Sequence, residues 1–308
     1  VQKVLVTGGA GFIGSHVVDE LVARGDDVHV IDNFFNGRRE HLSLPEDHIH
    51  EGDLRDQAWM RETLAKIAPQ RVFHLAAIHF IPYCNEHPTE SVMINIQGTQ
   101  NLLDALEGAP AERLFFASTA AVYPPKEGEH LETDPIDPMD VYGATKAAGE
   151  ALVRGWSKGS GKAVAVGRLF NAVGHRETNP HLLPDIMDQL IAGKRTIALG
   201  NLDPRRDYID ARDMARAILA ASDHVATGSD VFNIGANKQY SVVEVVEMFS
   251  DALGEKIEIV QDQARVRKVE RPSLLAGIGK LTGATGWKPQ IGLDRTLAEL
   301  VAVEPANG

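Results

Sequence analysis

Short runs of β-branched and other apolar residues at 3–6, 27–31, 71–75, 113–117 and 163–168 are each separated by one stretch with apolar residues at helical spacing. Runs of that length fit strands buried on both faces, and a helix between successive runs is the crossover that parallel strands require. The pattern predicts a doubly wound α/β unit over the first half, with helices on both faces of a parallel sheet. After Phe170 the texture changes: Gly174, Pro180, Pro184, Gly193 and Gly200 interrupt shorter elements up to Arg206, which marks the start of a second lobe. Residues 208–222 return to helical spacing and 230–234 read as a strand, so the chain is expected to revisit the first sheet. The expected division is 1–168 with 207–235 in the first lobe, and 169–206 with 236–308 in a smaller second one. Residues 304–308 read as a frayed end.

Composition narrows the function classes more than the fold. With 308 residues, 44% hydrophobic and 24% charged, the chain has the make-up of an ordinary globular protein with a sizeable core. A net charge of -12 argues against a nucleic-acid binder, because phosphate neutralisation needs clustered Lys and Arg. It leaves room for a small anionic ligand held by a few placed arginines and backbone N–H groups. One cysteine, Cys84, excludes an internal disulfide and gives no metal or redox spacing. No apolar run reaches membrane-spanning length, so no membrane partner is expected and the cytoplasm is the expected setting.

Thr7-Gly-Gly-Ala-Gly-Phe-Ile-Gly14 follows the first strand and opens a helix, with glycines at 8, 11 and 14. Glycines there permit a tight turn and close approach of the backbone to a pyrophosphate, and the helix N-terminus supplies N–H groups and a positive dipole end. A strand-to-helix turn needing φ > 0 would use the same residues. Asp32 ends the second strand, where a carboxylate accepts from ribose hydroxyls and repels a 2′-phosphate, which favours NAD over NADP. Asp53, in Gly52-Asp-Leu54, is the candidate for the adenine amino group.

Tyr142-Gly-Ala-Thr-Lys146 puts a phenol and an ammonium at i and i+4, on one face of a helix. A nearby positive charge favours phenolate, so Tyr142 is the candidate base and Lys146 its partner, also within reach of a nicotinamide ribose. Ser118 and Thr119 close the strand upstream.

Taken in order, Gly8-x-x-Gly11-x-x-Gly14, Asp32, Asp53, His74-Leu-Ala-Ala77, Asn95, Ser118-Thr119 and Tyr142-x-x-x-Lys146 resemble the extended short-chain dehydrogenase/reductase family, over essentially the whole chain. Within it the sequence is most similar to NAD-dependent nucleotide-sugar epimerases and dehydratases. The resemblance implies a Rossmann-type doubly wound parallel sheet that holds NAD, a smaller C-terminal α/β lobe that holds a nucleoside diphosphate sugar, and a homodimer. It implies cofactor contacts from Gly8, Gly11, Phe12, Ile13, Gly14, Asp32, Asn33, Asn36, Asp53 and Leu54. Leu75, Ala76, Ala77, Asn95, Ser118, Tyr142 and Lys146 complete that set, and Thr119 joins Tyr142 and Lys146 in catalysis. On the sugar-nucleotide side it implies Thr119, Asn171, His181, Leu182, Arg206 and Arg267, although Arg271-Pro-Ser273 offers a competing match to the last.

The resemblance also separates reactions. Dehydratases of the family carry an acid directly after the catalytic Thr, and here those positions are Ala120 and Ala121. The expected activity is therefore a 4-epimerase of the UDP-glucose/UDP-galactose type: oxidation at C4, rotation of the keto sugar and hydride return. A 4,6-dehydratase or keto-sugar reductase is the rival, since Gly200-Asn-Leu-Asp-Pro-Arg-Arg-Asp207 looks like the GDP-sugar branch. A non-catalytic NAD sensor is a third class, which usually loses the Tyr or Lys. Leu274 matches a position that narrows the pocket, with room for an N-acetyl sugar. His79, His175 and His181 are read as hydrogen-bonding or packing residues, and no metal is expected.

Overall fold

The computed structural model describes residues 1–266 and 271–302. In chain order the strands are β1 (Lys3–Thr7), β2 (Asp27–Asp32), β3 (Ile49–Glu51), β4 (Arg71–His74), β5 (Arg113–Thr119), β6 (Glu129–His130) and β7 (Ala163–Leu169). They continue with β8 (Asn171–Val173), β9 (Thr196–Leu199), β10 (Arg205–Asp210), β11 (Ser229–Ile234), β12 (Gln239–Ser241), β13 (Glu258–Gln261) and β14 (Ser273–Ala276). The main sheet has seven strands in the order β11-β7-β5-β4-β1-β2-β3. Every pairing in it is parallel, with Val6 beside both Val30 and Phe73.

Strand alternation splits the core in two. Val4, Val6, Val28, Val30, Phe73 and Phe115 face one side and pack with Val17 and Leu21 of the helix Phe12–Ala23 and Met214 and Ile218 of the helix Ala211–His224. Leu5, Ile31, Val72, Leu114 and Phe116 face the other, against the helices Gln57–Ile67, Gly98–Leu106 and Val141–Ser160. Both faces are covered, so the strands read as continuous apolar runs rather than alternating ones. The strand order reverses between β1 and β4, and the crevice above their carboxyl ends is where such folds take ligands.

A second sheet runs β12-β10-β14-β6, with β8 beside β10, and β9 pairs with β13 separately. Leu183, Ile186, Ile197, Tyr208, Val245, Val246, Phe249 and Leu297 form its own core. The chain does return to the first sheet through the helix Ala211–His224 and β11, as the spacing predicts. The helix starts later than the expected 208 because Arg205–Asp210 is a strand, and Asp210 stops it by capping Arg212 N. β10 hydrogen-bonds in the second sheet, and so does β6, which comes from within the first 168 residues. Asp207 stitches this region together: its buried carboxylate accepts from the N–H groups of Ala236, Asn237 and Ala276, while burial raises its pKa to about 6.

Candidate active site

At the carboxyl ends of β1, β2, β4 and β5, reaching across to β8 and β10, lies a cavity of about 840 Å³. Its floor is the glycine turn. Gly8 has φ +72°, and a Cβ there would stand 2.7 Å from Ala76 N; a Cβ on Gly14 would stand 2.0 Å from the Gly8 carbonyl. Only bare backbone closes this turn. The helix that follows has Gly11 as N-cap and no side-chain cap, so its first N–H groups remain for an anion.

Asp32, 8% exposed, accepts from Ala10 N with one oxygen and from Phe34 N with the other, both at 2.9 Å. Burial raises its pKa while those N–H groups pull it back down. Asn33, Asn36 and Leu54 line the same end, as do Phe12 and Ile13. Asp53 lines it too, but its carboxylate is gripped by Arg55 through Nε at 2.9 Å and Nη2 at 2.7 Å, which lowers its pKa. Leu75, Ala76 and Ala77 form the wall beyond β4. Asn95 does not reach the cavity surface: its amide is spent on the Ile78 backbone at both N and O and on Thr145 Oγ1, so it shapes the wall from behind.

Tyr142 meets Thr119, and Lys146 sits over the Phe116 ring, because the helix Val141–Ser160 lies close to β5 and the turn after it. A Cβ on Gly143 would be 2.5 Å from the Ala121 carbonyl, and one on Gly149 would be 2.4 Å from the Phe116 ring. Asp140 caps the helix on Gly143 N at 2.8 Å. Burial pushes the Tyr142 phenol above its ordinary range, and a hydrogen bond with Thr119 pulls it partly back. Burial also lowers Lys146 to about 7, against the opposing charges of Cys84 and Glu150, with Nζ 4.8 Å from the centre of the Phe116 ring. The expected lowering of the phenol by Lys146 does not appear: desolvation dominates both groups, and the lowering influence on Tyr142 is Thr119.

Ser118 lines the cavity, yet its hydroxyl donates to Glu150 Oε1 at 2.5 Å. Glu150 is held in turn by Arg168, with Nε and Nη2 each 2.9 Å from one carboxylate oxygen, and both residues are almost fully buried. Sequence reading missed this pair. Arg168 lay in a strand and Glu150 four residues beyond Lys146 on the helix, a spacing that could have signalled it. Ala120 and Ala121, 1% and 5% exposed, form the turn after Thr119 and line the cavity.

Towards the second sheet the cavity is lined by Asn171, His181, Arg206, Arg271 and Leu274. Among the described residues the buried Asn171 side-chain oxygen has no hydrogen-bond partner, which leaves it a poised acceptor. Arg206 Nη1 donates to the carbonyls of Arg205 and Arg271, and Arg271 Nη2 donates to the Ala121 carbonyl at 3.0 Å. Arg271 was only the competing match in sequence, and Arg267 lies outside the described residues. His181 bonds Glu177 through Nδ1, and His79 bonds Asn179. His175 offers its carbonyl to His16. Leu182 does not line the cavity; as the first residue of the helix Leu182–Ile191 it packs on the second core.

The donor set fits a dinucleotide: a turn that excludes Cβ atoms, uncapped helix N–H groups and a buried carboxylate at the strand end. Residues 4–235 match the family described as NAD dependent epimerase/dehydratase. UDP-glucose 4-epimerase of Lactobacillus helveticus is 33% identical over 94% of this chain and 92% of its own. A UDP-glucose 4-epimerase of Thermus thermophilus, solved as a complex with NAD, is 30% identical with a TM-score of 0.87, covering 97% of both chains. That of Thermotoga maritima, solved with UDP-glucose, is 28% identical with a TM-score of 0.89, again covering 97% of both. With a family match over most of its length and a relative of this similarity over nearly all of it, the chain belongs to the NAD dependent epimerase/dehydratase family.

Proposed function

We propose that this protein is an NAD-dependent 4-epimerase of nucleoside diphosphate sugars, with UDP-glucose and UDP-galactose as its pair. The observation that carries the reading is the intact Thr119, Tyr142 and Lys146 set lining the cavity, with Ala120 and Ala121 rather than acids directly after Thr119. Curated relatives and solved neighbours with that activity support it.

Bound NAD supplies a reversible two-electron oxidant whose positive charge favours a phenolate nearby. Tyr142 Oη takes the proton of the sugar C4 hydroxyl while Thr119 Oγ1 holds the same oxygen. Lys146, when it carries its own proton, stabilises the phenolate form of Tyr142 that takes this proton. Tyr142 then returns the proton to the C4 oxygen once the opposite face of the sugar has been presented. Positions 120 and 121 offer no carboxylate to strip C5, so C4 inversion is the simplest outcome. Arg206 and Arg271 suit the diphosphate, because a guanidinium fork matches phosphate oxygens, and Asn171 supplies a further polar contact.

Asp32 assigns NAD rather than NADP to the adenosine end. The reading includes the two-lobe division given above, a homodimer and a cytoplasmic setting. Incubation with UDP-galactose and no added reductant should yield UDP-glucose. Accumulation of a 4-keto-6-deoxy sugar would contradict the epimerase reading and favour the dehydratase.

A further inference from the structure

Far from the cavity, the amino end of β2 and the turn leading into β3 bring four ligand-type side chains together. Asp27 and His29 alternate on β2, and His48 and His50 alternate into β3, so each pair shares a face. The parallel register sets Val30 beside Ile49 and Ile31 beside His50, which brings His29 next to His48. The intervening Val28 and Val30 point the other way, into the core.

Asp27 Oδ1 is 3.6 Å from His29 Nε2 and 3.6 Å from His48 Nδ1. One donor atom from each of the three residues lies within 4.8 Å of the others. Donors around tetrahedral zinc, with bonds of about 2.0–2.1 Å, stand about 3.3–3.5 Å apart, so the cluster closes by up to about 1.5 Å on binding, with His48 Nδ1, which lies 3.1 Å from the Val28 carbonyl, released from that oxygen. The His29 and His48 rings stack at 4.2 Å, so one ring turns to bring both nitrogen lone pairs onto a shared ion. His29 Nδ1 lies 3.1 Å from His50 Nε2, the outer hydrogen bond that commonly fixes a metal-ligating imidazole. His29 is 12% exposed, and His48 and Asp27 are 26% and 32% exposed, which leaves one side open for a water ligand.

We propose that Asp27, His29 and His48 form a zinc-class cation site, with His50 holding the His29 ring. Two imidazoles and one carboxylate are a borderline-soft donor set that suits Zn²⁺ better than Ca²⁺ or Mg²⁺. None of the four residues lines the catalytic cavity. The ion would clip the three-residue edge strand β3 to β2 and so close the loop 33–48, whose residues Asn33 and Asn36 line the cofactor end. Its role is therefore structural. A local spacing search misses it because the ligands are paired across two strands.

Untagged full-length protein, stripped with chelator and titrated with ZnCl2 by calorimetry, should bind one ion per chain, with a rise in Tm. Asp27→Asn and His48→Gln should each weaken binding at least tenfold, and His50→Gln by about tenfold. His87→Gln, a surface histidine elsewhere, should change nothing. Cobalt in place of zinc should give the visible bands of a tetrahedral site. His48 is the more exposed imidazole, so His48→Gln remains a test if His29→Asn does not fold. No binding, or binding that survives Asp27→Asn and His48→Gln, would overturn the site.

Discussion

Burial displaces two ionisable groups of the helix Val141–Ser160 in opposite directions, the Tyr142 phenol upward and the Lys146 ammonium down to about 7. Each resists charge alone, so the site is poised to hold a proton until cofactor and sugar arrive. Tyr142→Phe should cut kcat by about 10²–10⁴-fold with KM changed only a few-fold. The Lys146 shift also has a stability signature. Its folded value lies below the ordinary 10.5, so between about pH 7 and 10.5 the unfolded chain binds the extra proton and stability rises with pH. Urea unfolding of NAD-stripped protein across that window should show the slope, and Lys146→Met should flatten it. At the other end of the cavity, Asp32→Ala should weaken NAD by about tenfold or more and narrow the preference over NADP, because the carboxylate proposed to meet the ribose is gone. Equal affinity of the variant for NAD would remove Asp32 from that role.

The helix Val141–Ser160 owes its position to residues that do no chemistry. Gly143 and Gly149 let it settle on the Ala121 carbonyl and the Phe116 ring, while Glu150 ties it to β7 through Arg168 and to β5 through Ser118. Glu150→Ala strands a buried guanidinium and should cost about 3–5 kcal/mol in urea unfolding. Elements of this kind were unevenly legible in the sequence. Strands β1, β2, β4, β5 and β7 of the main sheet, the glycine turn, Asp32, Tyr142 and Lys146 could be read because each is local: an apolar run, a strand-to-helix turn, an i, i+4 pair. β6 and β10 could not: β6 has only two residues, and both strands pair with β14, which lies 60 or more residues further along the chain. Arg271, Glu150 and the inward turn of Asn95 likewise depend on contacts across the fold. Burial decided the ionisation of Tyr142, and burial is a tertiary quantity that i, i+4 spacing does not report.

Across the whole molecule, the main sheet supplies the oxidising end of the cavity and the second sheet the arginine-bearing end. The overall charge of -12 leaves those arginines as local exceptions suited to a diphosphate. Among the described residues no helix is long and apolar enough to cross a membrane. Val92 and Met93 are exposed apolar residues on the continuous helical segment 88–106, a surface that supports the proposed homodimer. Light scattering should give the mass of two chains, and Met93→Glu should shift it toward one. The claim on which everything else rests is C4 inversion by an enzyme that recycles its own NAD. Following UDP-galactose by proton NMR with no added reductant tests it most directly. The wild type should approach one UDP-glucose/UDP-galactose equilibrium from either side and Tyr142→Phe should not; a dehydrated product, or no conversion by the wild type, would contradict C4 inversion.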